Sequence, residues 1–109
     1  MVLEYFDLYS IKDCDSLEAL FSENIVLKDW DIHVSGKNKV MEAIKIMLDS
    51  VDKIKVFPVS FFINSDYCYA VQVSILIDTD PKIDVIDVIS FNTAGKITEI
   101  VAFKYENIV

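Results

Sequence analysis

From Lys53 to Tyr105 the chain reads as four long β segments, 54–64, 67–78, 83–92 and 96–105. The separators are Ser65-Asp66, Thr79 to Lys82, and Thr93 to Gly95, short and made of turn-forming residues. Connections of this length join antiparallel neighbours, whereas a parallel pair needs a crossover of a dozen residues or more. The C-terminal half is therefore a meander, and the rest of the chain must pack against it.

The N-terminal half is mostly helical. Residues 2–10 carry Val2, Leu3, Phe6 and Tyr9 at helical intervals. Asp15, with Glu18 three positions later, forms a capping-box pattern ahead of Leu17, Leu20 and Phe21. Residues 24–30 alternate instead, with Ile25, Leu27 and Asp29 on one side and Val26, Lys28 and Trp30 on the other, which predicts a short strand ending near Asp29. After Ser35 and Gly36, the residues Val40, Ile44, Met47, Leu48 and Val51 recur at the helical period opposite Lys39, Glu42, Lys45 and Asp49, and this is the longest helix. Helices followed by a meander predict an α+β layer structure, a curved antiparallel sheet wrapped around three N-terminal helices. With 109 residues and no repeat or linker, one domain spanning 1–109 is expected.

Composition bears on what such a domain does with its surface. Apolar residues make up 53% of the chain, including seven Phe, five Tyr and one Trp, more than one small core absorbs. The surplus predicts a lined cavity and, because segments 67–78 and 83–92 are apolar on both sides while helices cover only one, a homodimer through the convex sheet face. A net charge of −8 argues against nucleic acid and anionic lipid as partners. The opening MVLEYFDLYS has no basic stretch before an apolar one, and no membrane-length apolar run occurs, so a cytoplasmic protein is expected. Cys14 and Cys68 stand alone without metal or redox spacing and read as small buried side chains, so neither a metal nor a cofactor is expected.

The stretch IDVIDVISF, 83–91, is a buried-strand sequence that nonetheless holds Asp84 and Asp87. Residues three apart on a strand face opposite sides, so Asp87 travels with Val85, Ile89 and Phe91 while Asp84 travels with Ile86, Val88 and Ser90. An ionised carboxylate on an apolar face is costly, and its pKa rises.

These residues carry a resemblance. DVIDVISFNTAGKITEIVAF, 84–103, resembles the last hairpin of the SnoaL-like and ketosteroid isomerase-like proteins of the nuclear transport factor two-like superfamily. DSLEALFSENIVLKDW followed by SGKNKVMEAI is similar to that superfamily's second helix, first strand and third helix. The resemblance implies a cone-shaped, cystatin-like sheet and a pocket for a small apolar molecule. It also implies, by likeness to bacterial ketosteroid isomerases, Asp29 as general base, Tyr5 as an oxyanion-stabilising tyrosine and Asp87 as the acid kept protonated beside it. Phe21 and Ile44 match positions that hold supporting tyrosines in some of those enzymes, and Lys104 matches a last-strand position that is a large pocket-facing aromatic in others. With Trp30 and His33 of the 29–36 loop, Phe21 and Lys104 are the ligand-binding candidates.

Each candidate has a plainer reading. Asp29 ends a strand, where aspartates form Asx-turns. Tyr5 fits equally as a core tyrosine with a wet hydroxyl, and Asp87 as a structural hydrogen-bonding group. His33 is a loop histidine that water would solvate, or an alternative base. Asp29, Asp31 and His33 have no metal-site spacing. Phe57, Phe61, Phe62, Tyr67 and Tyr69 alternate as strand core or dimer face. Two functions of different class follow: an isomerase moving a proton between carbons of a ketone, or a small-molecule-binding or dimerisation module without turnover, with cyclase, dehydratase and hydrolase chemistry also open on this fold.

Overall fold

A computed structural model describes residues 2–106. The chain order is α1 (Val2–Ser10), α2 (Cys14–Leu20), β1 (Phe21–Lys28), β2 (His33–Ser35), α3 (Lys37–Asp49), β3 (Ile54–Ser65), β4 (Cys68–Ile77), β5 (Ile83–Phe91) and β6 (Ile97–Tyr105). The six strands form one sheet in the order β2-β1-β6-β5-β4-β3. From β3 to β6 it is the antiparallel meander expected from the turn spacing.

The sheet as a whole is mixed, because β1 joins it parallel to β6. The wholly antiparallel sheet expected from the sequence is corrected at this one junction. Its cause lies in the connections: β2 closes one edge, β3 closes the other, and α3 is the crossover between them. That crossover carries α3 over one face of the sheet. Register shifts within β3, near the end of β5 and in the β1–β6 pairing bend the strands, which gives the sheet its curvature around the helices. The result is an α+β cone with Phe6, Leu17, Ile44 and Leu48 of the helices packed on Ile25, Val71, Val73, Ile89 and Ile100 of the concave face.

Three local differences from the sequence reading have simple causes. The cap of α2 is Asp13, whose carboxylate accepts from Ser16 N–H (3.1 Å) and Ser16 Oγ–H (2.8 Å), so Asp15 falls in the first turn and is not the cap. Lys12, at φ 58, turns the chain out of α1 and makes the next residue the first that can cap. Phe21 is extended (φ −93°, ψ 142°) and opens β1 directly, so it belongs to the sheet and not to the apolar face of α2. Residues 33–35 form a short strand against 26–28, where a loop was expected. Among the described residues no helix is long and apolar enough to cross a membrane.

Candidate functional site

The strand register builds the site. Asp87 pairs with Ala102 across β5–β6, and Lys28 pairs with Val101 across β1–β6. One step past Lys28, Asp29 comes level with Ala102. The two aspartates therefore flank a small residue, two strand spacings or about 10 Å of backbone apart. Both line a cavity of about 180 Å³. Its walls are Ala43, Ile44 and Met47 of α3 and aliphatic side chains of β3, β4 and β5, among them Val56, Ile75 and Ile83. Tyr5, Phe6 and Tyr9 of α1 and Trp30 of the loop after β1 complete it.

Alternation let either aspartate of β5 face inward, and Asp87 is the one that does. It is 8% exposed and shares the buried face with Val85 and Ile89. Its side chain has no protein hydrogen bond among the described residues, so its polar atoms are left to the cavity. Burial, and secondarily the charge of Asp29, pushes its pKa up to about 7. Asp84, on the other face, accepts from Ser74 Oγ–H (3.1 Å) and pairs with Lys82 (3.5 Å).

Asp29 holds an Asx-turn and lines the cavity at once. Its Oδ1 accepts from the N–H groups of Asp31 (2.7 Å) and Ile32 (2.8 Å). Its Oδ2 makes no protein hydrogen bond among the described residues. The turn pins one oxygen and leaves the other to the cavity.

Tyr5 is 5% exposed, its ring packed against Phe6, Tyr9 and Phe21. Burial raises its pKa, with smaller contributions from Tyr9 and Asp87. Tyr9, a helix-face residue by its spacing, also lines the cavity. Burial raises its pKa, as do the charges of Asp87 and Asp29 in that order, so its phenol is the one that feels both carboxylates. The signal was the i, i+4 spacing from Tyr5, which puts both rings on one helix face, 5.7 Å between centroids.

The remaining candidates divide. Trp30 lines the cavity and is 46% exposed, at its mouth. Lys104 does not line the cavity, but it is on the same side of β6 as Ala102, and its Nζ lies over the Trp30 ring, 5.5 Å from the centroid. Phe21 does not line the cavity: it lies in the core behind Tyr5, because β1 starts with its side chain turned under α1. His33 does not line it either. It is exposed on β2, level with Lys28, on the sheet side opposite Leu27. Among the described residues no three His, Cys, Asp or Glu side chains gather as a metal site.

No protein-family model and no curated protein matches the chain. Solved structures do. An NTF2-like protein of unknown function from an Exiguobacterium species is similar with a TM-score of 0.85 and 17% identity, over 97% of this chain and 98% of that one. The epoxide hydrolase/cyclase-like enzyme SalBIII, studied for pyran ring formation in the polyether salinomycin, gives 0.83 and 22% over 95% and 87%. A proposed ketosteroid isomerase from Kribbella flavida gives 0.83 and 13% over 99% and 77%. Identities this low speak for architecture and not for chemistry, and together with the strand order and the helix-filled concave face they establish that the chain has the nuclear transport factor two-like fold, the fold of SnoaL-like and ketosteroid isomerase-like proteins.

Proposed function

We propose that the cavity binds a small cyclic ketone and moves a proton between its carbons. The observation that carries this reading is the pairing of Asp87, pushed up to about 7, with Asp29 in one apolar cavity. A neutral acid beside an available carboxylate is the arrangement acid–base chemistry on carbon needs. The free Oδ2 of Asp29 takes a proton from the carbon next to the carbonyl, and electrons move onto the oxygen. Asp87–OH, with Tyr5 or Tyr9, donates hydrogen bonds to that enolate oxygen. Asp29 then returns the proton to the γ carbon, and the double bond ends conjugated with the carbonyl.

The cavity bounds the substrate. A dry cavity of about 150 Å³ holds benzene, so about 180 Å³ suits one ring with small substituents and is small for four fused rings. The test is ultraviolet absorbance of a β,γ-unsaturated cyclohexenone as it becomes the conjugated isomer, with turnover expected. One observation favours a second reading, binding without turnover: the Asx-turn alone accounts for an aspartate at position 29. Phenol binding with no turnover on any ring ketone would leave that reading. Ring formation of the kind in which the epoxide hydrolase/cyclase-like SalBIII has a role would use the same carboxylates with Asp87 protonating an epoxide oxygen, and an epoxide in place of the ketone separates the two.

The proposed partner of the sheet is a second copy. Ile86 and Phe103 are paired on the convex face and exposed, with Phe57, Phe62 and Leu76 also exposed on strands of the same sheet. An uncovered apolar sheet of this kind promotes association. Light scattering at micromolar concentration is expected to give twice the 12.5 kDa chain mass, and Ile86→Asp with Phe103→Asp to give the monomer. A monomeric wild type contradicts the proposal.

A further inference from the structure

We infer that Lys104, which stands just outside the cavity over the lining residue Trp30, receives a carboxylate, so that the substrate is a small ring ketone bearing one carboxylate outside the ring. The inference rests on the reading of the cavity as a ketone site and names the substrate class within it.

Position is the first argument. Lys104 lies two residues beyond Ala102 on the same side of β6, about 7 Å further along the strand from the level of the two aspartates. A ring whose oxygen meets Asp87 would therefore present a substituent on its far side to the ammonium. Trp30 supplies a flat, half-exposed wall between them, and the turn made by Asp29 holds the loop that carries it.

Availability is the second argument. Lys12 and Lys96 donate to backbone carbonyls of Val51 and Ala19, and Lys37 and Lys82 pair with Glu23 and Asp84. Lys104, like Lys28, Lys39, Lys45, Lys53 and Lys55, has no carboxylate partner among the described residues. What sets it apart is that its ammonium rests on the cavity-lining ring of Trp30, whereas that of Lys55 rests on Phe57. Its strand neighbour Val85 is apolar and buried. The adjacent acid of β5, Asp84, faces the other side and is already paired. A cation that rests on an aromatic face keeps its N–H donors for an incoming anion.

Charge is the third. On a chain of net charge −8, one ammonium just outside the cavity favours a monoanion, and a dianion such as a phosphate monoester would meet a single cation in a repulsive field.

The test uses two phenols of the same shape, 4-hydroxyphenylacetate and its neutral amide, titrated calorimetrically into the whole protein. Wild type is expected to bind the anion about fivefold more tightly, the effect of one partly exposed ion pair. Lys104→Met removes that preference by weakening the anion alone, and Lys104→Arg retains it. Equal binding of the two phenols by wild type, or equal weakening of both by Lys104→Met, overturns the inference while the ketone reading stands. Binding of neither phenol overturns both.

Discussion

Asp29→Asn is expected to lower turnover of the β,γ-unsaturated ring ketone by about 10²- to 10⁴-fold, the usual contribution of a positioned general base. Binding of a neutral phenol should stay within a fewfold of wild type. The variant is informative because of how Asp29 is held. The two N–H donors, from Asp31 and Ile32, both go to Oδ1, and an asparagine carbonyl oxygen can accept both in the same geometry, as Asn does in Asx-turns. The Asx-turn, the loop and Trp30 therefore persist, and what is lost is the oxygen that can take a proton. The assays are ultraviolet absorbance for turnover and calorimetry for the phenol. Retention of turnover within tenfold would remove Asp29 from the mechanism, and His33 could not replace it, since it lies outside the cavity.

Asp87→Ala is expected to lower turnover by about 10²- to 10³-fold, the loss of one preorganised donor to the developing oxyanion. Asp87→Asn keeps an N–H donor and should cost distinctly less. The two variants also differ from wild type in pH dependence. Asp87 donates only when protonated, so with a pKa pushed up to about 7 the wild-type rate falls as pH rises through that value. Its ionised form would also repel the enolate. Neither variant titrates at this position, so both should lose that limb of the profile. Folding does not confuse the comparison. A carboxyl whose pKa is raised on folding favours the native state fully only at pH below its unfolded value of 3.8, and loses that advantage as pH rises to about 7. Above pH 7 a neutral replacement is therefore not at a disadvantage from lost charge.

Much of the fold was legible because its signals are local. The turn residues between β3, β4, β5 and β6 and the apolar period of α3 each act within a few residues, and the structure follows them closely. The parallel seating of β1 beside β6 was not legible, since it depends on which strand edge remains after the meander closes. That one of the two aspartates of β5 faces inward was legible from alternation, but both faces of the segment are largely apolar in sequence, and only the resemblance pointed to Asp87. Tyr9 was hidden by its own amphipathicity, because a phenol at a helix–core boundary looks the same in sequence whether its hydroxyl meets water or a cavity. Phe21 was misplaced by a shift of state. Likeness to a tyrosine position of the ketosteroid isomerases pointed it to the pocket and the capping pattern put it on a helix, but as the first residue of β1 it turns into the core. His33 was misplaced by a strand too short to show alternation.

The central claim is that Asp87 and Asp29 share one apolar cavity that raises the pKa of Asp87, and the carboxyl-carbon chemical shift of Asp87, followed by NMR across pH, tests it most directly. The account predicts a midpoint near 7 in wild type. It also predicts a lower midpoint in Asp29→Asn, because the charge of Asp29 is the second cause of the rise. A wild-type midpoint near the ordinary 3.8, unmoved by Asp29→Asn, would contradict it.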